Sequence, residues 1–432
     1  MNILSCKDRG FEAGLARVFA PSSLFDAGIE KRTRAIVDAV QARGDEALLE
    51  FTEQFGGAKL TADQLAVSQA ELVAASLKAG EPLRAAVRET QRNVEAYARR
   101  SMRKDWQMRN SHGALVGEKF DAFERVGIYI PGGAAPLVST ALMTIPLAKV
   151  AGCREIAVCT PCDKTGAVNP AILYAARHAG ATEIYRVGGA QAIAAMVFGT
   201  PTIRRVQKVA GPGNAYVVAA KRLLFGYAAM DLLPGPSELL VLADDTANPA
   251  YAAADLLAQA EHGSGHERVW LVTTSLKFLR AVEKEIEHQA EGLARHGFVK
   301  QVLAGNTWLI HAANVSQAVE ITNRLAPEHL EIMMRQARNV SQKIRTAGAI
   351  FLGNDSPTVL GDYVAGPSHT LPTGGAGASF AGLTVDQFQR RTSIVEYNKP
   401  ALKKALKAVK VFAQMEGLDA HGRSAEVRVG RK

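Results

Sequence analysis

A glutamine and a histidine one turn apart form the first candidate site of this sequence. Gln259 and His262 end a long apolar segment with helical periodicity, and a spacing of three residues brings two side chains to one helix face. An amide oxygen and an imidazole nitrogen held side by side can begin a metal site, and Asp362, His369 and His421 could complete it. In isolation, such a pair more often caps backbone carbonyls or faces water.

A carboxylate beside an imidazole forms the second candidate site. Glu328 and His329 follow Pro327, which ends the preceding helical pattern. An imidazole with a pKa of about 6.5 can remove a proton at neutral pH, and a carboxylate can activate water if burial raises its pKa. The alternative for these residues alone is a helix-breaking proline followed by two exposed polar side chains.

Glycine-rich segments supply the remaining candidates. Residues 361–375 contain too much glycine and proline for regular structure, yet they carry Asp362 and His369, and such loops often carry function on a rigid scaffold. No convincing GxGxxG motif is present. Instead, three glycine groups follow strand-like runs, where the backbone can approach a ligand and a helix N-terminus can meet phosphate: Gly132-Gly133, Gly188-Gly189 and Gly211-Pro212-Gly213.

The composition is that of a soluble globular protein. The chain has 432 residues, 47% of them hydrophobic and 22% charged, which suggests about two to four domains. The start lacks the apolar run of a signal peptide and no stretch is long enough to span a bilayer, so a cytoplasmic location is predicted. Four cysteines fit a reducing compartment, and the pair Cys159 and Cys162 lacks the second pair of a zinc site.

The net charge of +9 leaves a nucleic-acid-binding function open. Basic residues do cluster at Arg99, Arg100, Arg103, Lys104 and Arg109. Elsewhere, however, basic and acidic residues alternate, no nucleic-acid-binding motif is present, and a solvated helix face is the more common reason for such a run. A dinucleotide is also an anion, so the charge adds little to the choice of function.

The elements that must position these residues alternate along most of the chain. Segments 29–44 and 83–98 have helical periodicity, and from residue 126 short apolar runs alternate with helices, as in a parallel α/β sheet. The pattern predicts strands at 126–130, 155–159, 183–187, 206–209, 239–243, 268–272, 308–310, 329–334 and 348–352.

So many strands predict an α/β fold with two doubly wound, Rossmann-like units, an N-terminal helical segment and a small C-terminal helical tail. The predicted divisions are an N-terminal arm at 1–27, a first α/β domain at 28–128 plus 238–383, a cofactor-side α/β domain at 129–237, and a tail at 384–432. Within the tail, residues 400–415 have an apolar stripe opposite a row of lysines, so we expect the tail to pack on another surface.

The three candidate segments, together with residues 416–421, resemble the corresponding motifs of the histidinol dehydrogenase family, zinc enzymes that complete histidine biosynthesis. The resemblance covers nearly the whole chain, and it includes the segments 126–133, 187–192, 210–216 and 235–238. It implies NAD-dependent, four-electron oxidation of L-histidinol to L-histidine through histidinaldehyde.

The resemblance also implies roles for individual residues. It makes His329 the base for the substrate hydroxyl and Glu328 the base for the water that attacks the aldehyde. Zn²⁺ would be bound by Gln259, His262, Asp362 and His421, and NAD would be contacted by Tyr129, Gln191 and Asn214. Substrate contacts would come from Ser237, Gln259, His262, His329, Asp362, His369, Glu416 and His421.

The family further implies a homodimer with shared active sites, to which the tail carrying Glu416 and His421 would contribute. No nucleic acid or membrane partner is expected. None of the four cysteines lies in a matched motif, so we expect direct hydration of the aldehyde rather than a cysteine nucleophile. The alternatives are a zinc- and NAD-dependent dehydrogenase of the same architecture for another small alcohol, and a nucleic-acid-binding or regulatory protein.

Overall fold

The computed structural model describes residues 1–20, 26–132 and 136–430. The strands are β1 (Asn2–Ser5), β2 (Trp106–Arg109), β3 (Leu115–Ala122), β4 (Arg125–Tyr129), β5 (Glu155–Cys159), β6 (Glu183–Tyr185), β7 (Lys208–Ala210), β8 (Ala229–Met230), β9 (Glu238–Ala243), β10 (Arg268–Thr273), β11 (Thr307–His311), β12 (His329–Met333), β13 (Ala349–Leu352) and β14 (Gln389–Glu396). Gly133 and the N-terminal residues 21–25 lie outside the described residues.

The helices are α1 (Phe11–Val18), α2 (Ala27–Arg43), α3 (Asp45–Gly56), α4 (Gln69–Lys78), α5 (Glu81–Ser101), α6 (Val138–Ala151), α7 (Pro170–Ala179), α8 (Gly189–Phe198), α9 (Ala215–Leu223), α10 (Pro249–Ala260), α11 (Leu276–Ala290), α12 (His296–Gly305), α13 (Val315–Leu325), α14 (Ala337–Ser341), α15 (Thr358–Tyr363), α16 (Lys399–Met415) and α17 (Asp419–Val429). Short 3-10 turns lie at Ala62–Gln64, Ala376–Ala378 and Val385–Phe388.

Two parallel sheets form the centre of the molecule. One has six strands in the order β1-β11-β10-β9-β12-β13, and the other has five in the order β6-β5-β4-β7-β8. Helices follow most strands, and the central strands are apolar and buried along their whole length, as is typical of parallel sheets covered on both faces. The predicted α/β class with two parallel units is confirmed, and each of the nine predicted strand segments overlaps a strand.

A third sheet was not expected from the sequence. Strands β14, β3 and β2 pair in an antiparallel manner, with Gln389 opposite Ala122 and Trp106 opposite Glu118. All four residues of β2 are exposed, and so is most of β14. Because neither strand has one buried apolar face, the alternation that reveals a strand in a sequence is missing.

The helical segment before residue 102 packs on the five-stranded sheet, and the prediction that it joins residues 238–383 is wrong. Helix α2 lies against α8 and α9, α4 against α7, and α5 against α6. Their apolar faces share cores with that sheet, as Val40 does with Ile193 and Val94 with Ile128. The predicted boundary at residues 128 and 129 also falls inside β4.

The N-terminal residues and the tail also differ from the predicted divisions. Strand β1 is not part of a free arm, because it pairs with β11 at the edge of the six-stranded sheet. At the other end, Val385 and Phe388 are fully buried against α6 and the five-stranded sheet, so the separate tail begins only after them. Helices α16 and α17 pack chiefly on each other.

Candidate active site

The two candidate bases lie at the amino end of strand β12, where it runs beside β9. Chain direction changes at Ala326, whose φ of 47° is left-handed, and His329 then begins β12 next to Leu239. The backbone of Glu238 contacts both bases. Its N–H donates to Glu328 Oε2 at 2.8 Å, and its carbonyl oxygen lies 3.0 Å from His329 Nδ1.

This contact determines which nitrogen of His329 can act as a base. A backbone carbonyl can only accept a hydrogen bond, so Nδ1 must carry the proton. The lone pair of the neutral ring is then on Nε2, which lies 3.8 Å from Asp362 Oδ1. Nε2 is therefore the basic atom that faces the other candidate residues.

Burial shifts the pKa values of the two bases in opposite directions. Both side chains are nearly inaccessible, at 5% exposure for Glu328 and 4% for His329. Burial raises the pKa of Glu328 well above its usual value, and the carboxylates of Glu238 and Asp362 add to the rise. Burial lowers the pKa of His329 despite the attraction of Asp362. His329 is therefore neutral at neutral pH, and Glu328 is a stronger base than an exposed glutamate once it loses its proton.

Glu238 itself is a buried carboxyl group that sequence reasoning did not single out. Its side chain is inaccessible, and Arg268 Nη1 lies 3.6 Å from its Oε1 atom. Burial raises the pKa of Glu238 to about 7, although Arg268 opposes the shift. The motif at 235–238 was the signal that could have identified it, since Glu238 is the last residue of that segment.

Two more histidines and an aspartate lie in the region of His329. His262 and Asp362 are close enough to affect the pKa of both His329 and His369, and His369 bonds to the backbone of Asp362. Burial lowers the pKa of His369, so this imidazole is also neutral at neutral pH. Residues from the α10, α15 and 361–375 segments thus meet at one end of the six-stranded sheet.

Gln259 and His262 reach this region from the carboxyl end of α10. The helix ends at Ala260, so His262 lies in the following turn rather than on the helix, in contrast to the expectation that both share a helix face. The Gln259 side chain is 4% exposed, and its Nε2 atom has no hydrogen-bond partner within the described ranges. A buried amide without a partner is costly, which is consistent with a ligand that satisfies this side chain when bound.

These residues fit Zn²⁺ in chemical type but do not complete a site within one chain. An amide, an imidazole and a carboxylate are ligands that zinc accepts. Over the described residues, no group of three or more His, Cys, Asp or Glu side chains lies close enough to hold a metal ion. Glu416 and His421 are exposed on the tail.

Ser237 lies beside the bases, directly before β9. The loop that precedes it is held against the 361–375 segment, because Gly235 N donates to Thr373 Oγ1 at 2.5 Å. Ser237 is partly exposed and its carbonyl oxygen accepts from Arg268 N at 3.1 Å. The Gly-Pro-rich loop therefore brings a hydroxyl group to the rim of the same region.

A separate cavity of about 590 Å³ opens at the carboxyl ends of the five-stranded sheet. Tyr129, Gln191 and Asn214, the three residues expected to contact NAD, all line it. Strands β5 and β6 lie to one side of β4 and β7 to the other, so the cavity lies where the strand order reverses. Such a switch point is the usual ligand site of an open α/β sheet.

Glycines and helix ends shape this cavity. Tyr129 Oη accepts from Gly189 N at 3.0 Å, and burial raises the pKa of Tyr129 to about 12, so the hydroxyl keeps its proton. Asn214 caps α9 by accepting from Tyr216 N at 3.1 Å. The cavity is thus bordered by the N-termini of α8 and α9, which favour an anion such as a pyrophosphate.

The opposite wall of the cavity comes from helices that sequence reasoning did not connect with the cofactor. Arg32, Phe51 and Phe55 of α2 and α3 line it, and the Arg32 guanidinium lies 5.6 Å from the centre of the Tyr216 ring. No motif marks these residues, because α2 and α3 reach the cavity only by packing on α8 and α9.

Among the described residues, neither the two buried cysteines nor the basic cluster forms an alternative site. Burial raises the pKa values of Cys153 and Cys159 to about 12, so neither thiol is a ready nucleophile. A second cavity, of about 620 Å³, lies on the three-stranded sheet, away from the bases. Its lining is of mixed charge, and Arg391 pairs with Glu118 there at 3.3 Å. Across the described residues, every helix is too short or too polar to cross a membrane.

Comparison with known proteins agrees with this arrangement. The histidinol dehydrogenase family model matches residues 22–429. The chain is 43% identical to the histidinol dehydrogenase of Synechococcus sp., covering 92% of each sequence, and 42% identical to that of Geobacillus kaustophilus, covering 94% of this chain and 95% of the relative.

Solved structures show the same relationship. The histidinol dehydrogenase of Elizabethkingia anophelis superposes with a TM-score of 0.94 at 35% identity, covering 99% of this chain and 98% of that one. An acetylating aldehyde dehydrogenase from Geobacillus thermoglucosidasius, 16% identical with a TM-score of 0.50, covers 86% of this chain and 97% of its own and shares the fold alone. By sequence and structure together, this chain belongs to the histidinol dehydrogenase family.

Proposed function

We propose that this chain oxidises L-histidinol to L-histidine through histidinaldehyde, with NAD and Zn²⁺, as the last step of histidine biosynthesis. The observation that supports this most strongly is the position of His329 Nε2, 3.8 Å from Asp362 Oδ1, beside the buried carboxyl group of Glu328 and with His262 near enough to affect its pKa. Because the chain belongs to the histidinol dehydrogenase family, histidinol is the first substrate to test.

His329 would act in the first oxidation. Its Nδ1–H is held by the Glu238 carbonyl, so Nε2 faces the substrate as the free base and takes the hydroxyl proton. Bound NAD would accept a hydride from the carbinol carbon in this step and again in the second. Water must be added between the two oxidations, because an aldehyde carries no second hydroxyl group.

Glu328 would act at that addition of water. A buried carboxylate with a raised pKa takes a proton from water more readily than an exposed one does. The water oxygen then bonds to the aldehyde carbon and forms the hydrate. When the hydrate loses its hydride and an O–H proton, the acid results. One alcohol, one water and two NAD⁺ therefore yield one carboxylate, two NADH and three protons.

Gln259, His262 and Asp362 would hold zinc, with His421 as the fourth ligand. A zinc ion held there would supply a Lewis acid that orients the nitrogen-rich substrate next to His329. Gln259 lies in the last turn of α10, where the helix dipole favours a cation. The mixed donor set of amide oxygen, imidazole and carboxylate supports this assignment.

The fourth ligand would come from the tail of a second copy, in a homodimer. Helices α16 and α17 leave Phe412 62% and Met415 80% exposed, and His421 remains exposed beside them. Large apolar side chains on a small terminal unit are typical of an interface. If two copies exchange tails, a mixture of inactive His421→Ala and His329→Ala chains should recover part of the activity. A verified mixed dimer without activity would contradict the exchange.

The proposed reaction is tested by its stoichiometry. The protein is supplied with L-histidinol and NAD, with and without zinc, and NADH and histidine are both measured. We expect two NADH per histidine and loss of activity when zinc is removed. No turnover by zinc-loaded protein would contradict the substrate assignment, whereas one NADH with accumulating aldehyde would contradict only the second oxidation. Turnover of another small alcohol at higher efficiency would favour a related dehydrogenase.

A further inference from the structure

A buried ion pair lies beneath the glycine turn at the cofactor cavity. Lys221 on α9 contacts Asp231, which follows β8, and their side chains are 1% and 0% exposed. Removing two charges from water is expensive, and a well-packed apolar pair often replaces a buried ion pair without loss of stability. Its presence here therefore calls for a role other than stability.

Both members of the pair bond to the backbone of one residue. Gly211 N donates to Asp231 Oδ2 at 2.7 Å, and Lys221 Nζ donates to Gly211 O at 2.9 Å. The peptide groups on either side of Gly211 are thus held by two charged side chains. Hydrogen bonds to charged groups are stronger than those between neutral groups, so this turn has little freedom to move.

Gly211 occupies a position that only glycine can fill. Its φ is +117°, and an added Cβ atom would lie 2.1 Å from the carbonyl oxygen of Tyr129. Three residues later, Asn214 caps α9 and lines the cavity, as Tyr129 does. A shift of Gly211 would therefore displace both Tyr129 and the N-terminus of α9.

We propose that Lys221 and Asp231 are positioning residues for the dinucleotide, which hold the turn 211–214 so that the N-terminus of α9 is aimed at the pyrophosphate. Neither residue is among those that line the cavity, so both act through Gly211. The inference rests on the proposed NAD-dependent function, because it requires a dinucleotide in this cavity.

Lys208 provides a matched control. It is a second buried lysine of the same unit, on β7, and its Nζ atom donates to Met230 O at 3.0 Å rather than to Gly211. Burial lowers the pKa of Lys208 to about 8. Lys208→Met therefore removes a buried lysine near the same aspartate without removing a bond to the turn.

The test uses the zinc-loaded, full-length protein and the double variant Lys221→Met with Asp231→Leu, whose apolar pair replaces the charges. NAD affinity is measured by direct titration without histidinol, and kcat and KM are measured for each substrate. We expect the Kd and KM for NAD to rise about tenfold or more, while the KM for histidinol stays within about twofold. The single variant Asp231→Asn keeps an acceptor for Gly211 N, so it should retain most of the wild-type affinity for NAD. The control variant Lys208→Met should bind NAD as the wild type does.

A folded double variant with wild-type NAD affinity would overturn the positioning role, and so would an equal loss of affinity in Lys208→Met. If the double variant does not fold, the single variant Lys221→Met is measured in the same assays, since it removes the donor to Gly211 O. Unchanged NAD affinity in that variant would overturn the role. Wild-type protein that binds no NAD would overturn the proposed function as well, whereas NAD binding by the wild type with no change in the variants would overturn the positioning role alone.

Discussion

The candidate sites of the two parallel sheets lie at opposite strand ends. In the five-stranded sheet, the cavity lies at the carboxyl ends of β4 and β7, where the N-termini of α8 and α9 face a ligand. In the six-stranded sheet, Glu238 and His329 stand at the amino ends of β9 and β12, near the carboxyl end of α10.

Helix polarity explains what each end can bind. A helix N-terminus attracts an anion and a helix C-terminus attracts a cation. The first sheet therefore suits the phosphates of a dinucleotide, and the second suits a metal ion beside histidines and carboxylates. Two units with similar parallel sheets thus offer sites for ligands of opposite charge. The strand end at which a residue lies therefore indicates the kind of ligand as clearly as the residue type does.

The largest effect in this comparison is expected for the variant His329→Asn. Loss of the base at the amino end of β12 should lower kcat for histidinol oxidation by about 10²- to 10⁴-fold, with little change in NAD affinity. His311→Asn is the matched control, because His311 is similarly buried but lies at the carboxyl end of β11, where its Nδ1 atom is 3.0 Å from Ser5 Oγ. Steady-state kinetics measures kcat, and NAD titration measures the affinity for NAD, in both variants. A similar loss in His311→Asn would show that the amino end has no special role.

Glu328→Gln should separate the two oxidations. The amide still accepts a hydrogen bond from Glu238 N but cannot take a proton from water, so the second hydride transfer should slow by about 10²-fold or more and the first much less. Rapid-quench measurement of NADH and aldehyde would show aldehyde accumulating after the first equivalent. Equal slowing of both steps would contradict the assignment of water activation to Glu328.

Tyr129→Phe should affect only the carboxyl-end cavity. The variant loses the acceptor for Gly189 N, and a lost hydrogen bond of about 1 kcal/mol raises the KM for NAD about fivefold. The KM for histidinol and the zinc content should not change. Tyr185→Phe is the control, since Tyr185 is also buried in this sheet but donates to Glu183 at 2.6 Å outside the cavity. A shift in zinc affinity would mean that the two ends are not independent.

The last effect, which concerns stability and leaves activity nearly unchanged, involves a carboxyl pair next to the amino-end site. Asp255 lies one turn before Gln259 on α10, and burial raises its pKa to about 6, although a hydrogen bond with Glu331 opposes the shift. A carboxyl group whose folded pKa exceeds its unfolded value contributes stability at low pH, and that stability is lost as pH rises through the folded pKa. The unfolding free energy should therefore fall by on the order of 1–3 kcal/mol between pH 4 and 7 through this group.

Asp255→Asn should remove that part of the pH dependence, because an amide does not titrate. Denaturant unfolding at several pH values measures it. Asp244→Asn is a suitable control, because Asp244 directly follows β9 at its carboxyl end, where its Oδ1 atom accepts from Thr246 N. An unchanged pH profile in Asp255→Asn would contradict the raised pKa.

Much of the architecture could be predicted because buried parallel strands leave a strong apolar signal. The segment Glu238–Ala243, for example, is entirely buried, and its apolar residues stand out in the sequence. Strands β2 and β14 could not be predicted, because they are exposed and polar. The partner of α2 could not be predicted either, since an amphipathic helix shows that one face is buried but not against which sheet.

The sequence alone determined the chemical types available to the site: the paired Glu328 and His329, the donors Gln259, His262 and Asp362, and the glycines that follow β6 and β7. Only the tertiary structure decided their geometry. The Glu238 backbone leaves Nε2 of His329 as the free base, and α2 and α3 close the cofactor cavity. Tautomer choice, burial and cavity walls depend on contacts between residues far apart in the chain, and local spacing carries no information about such contacts.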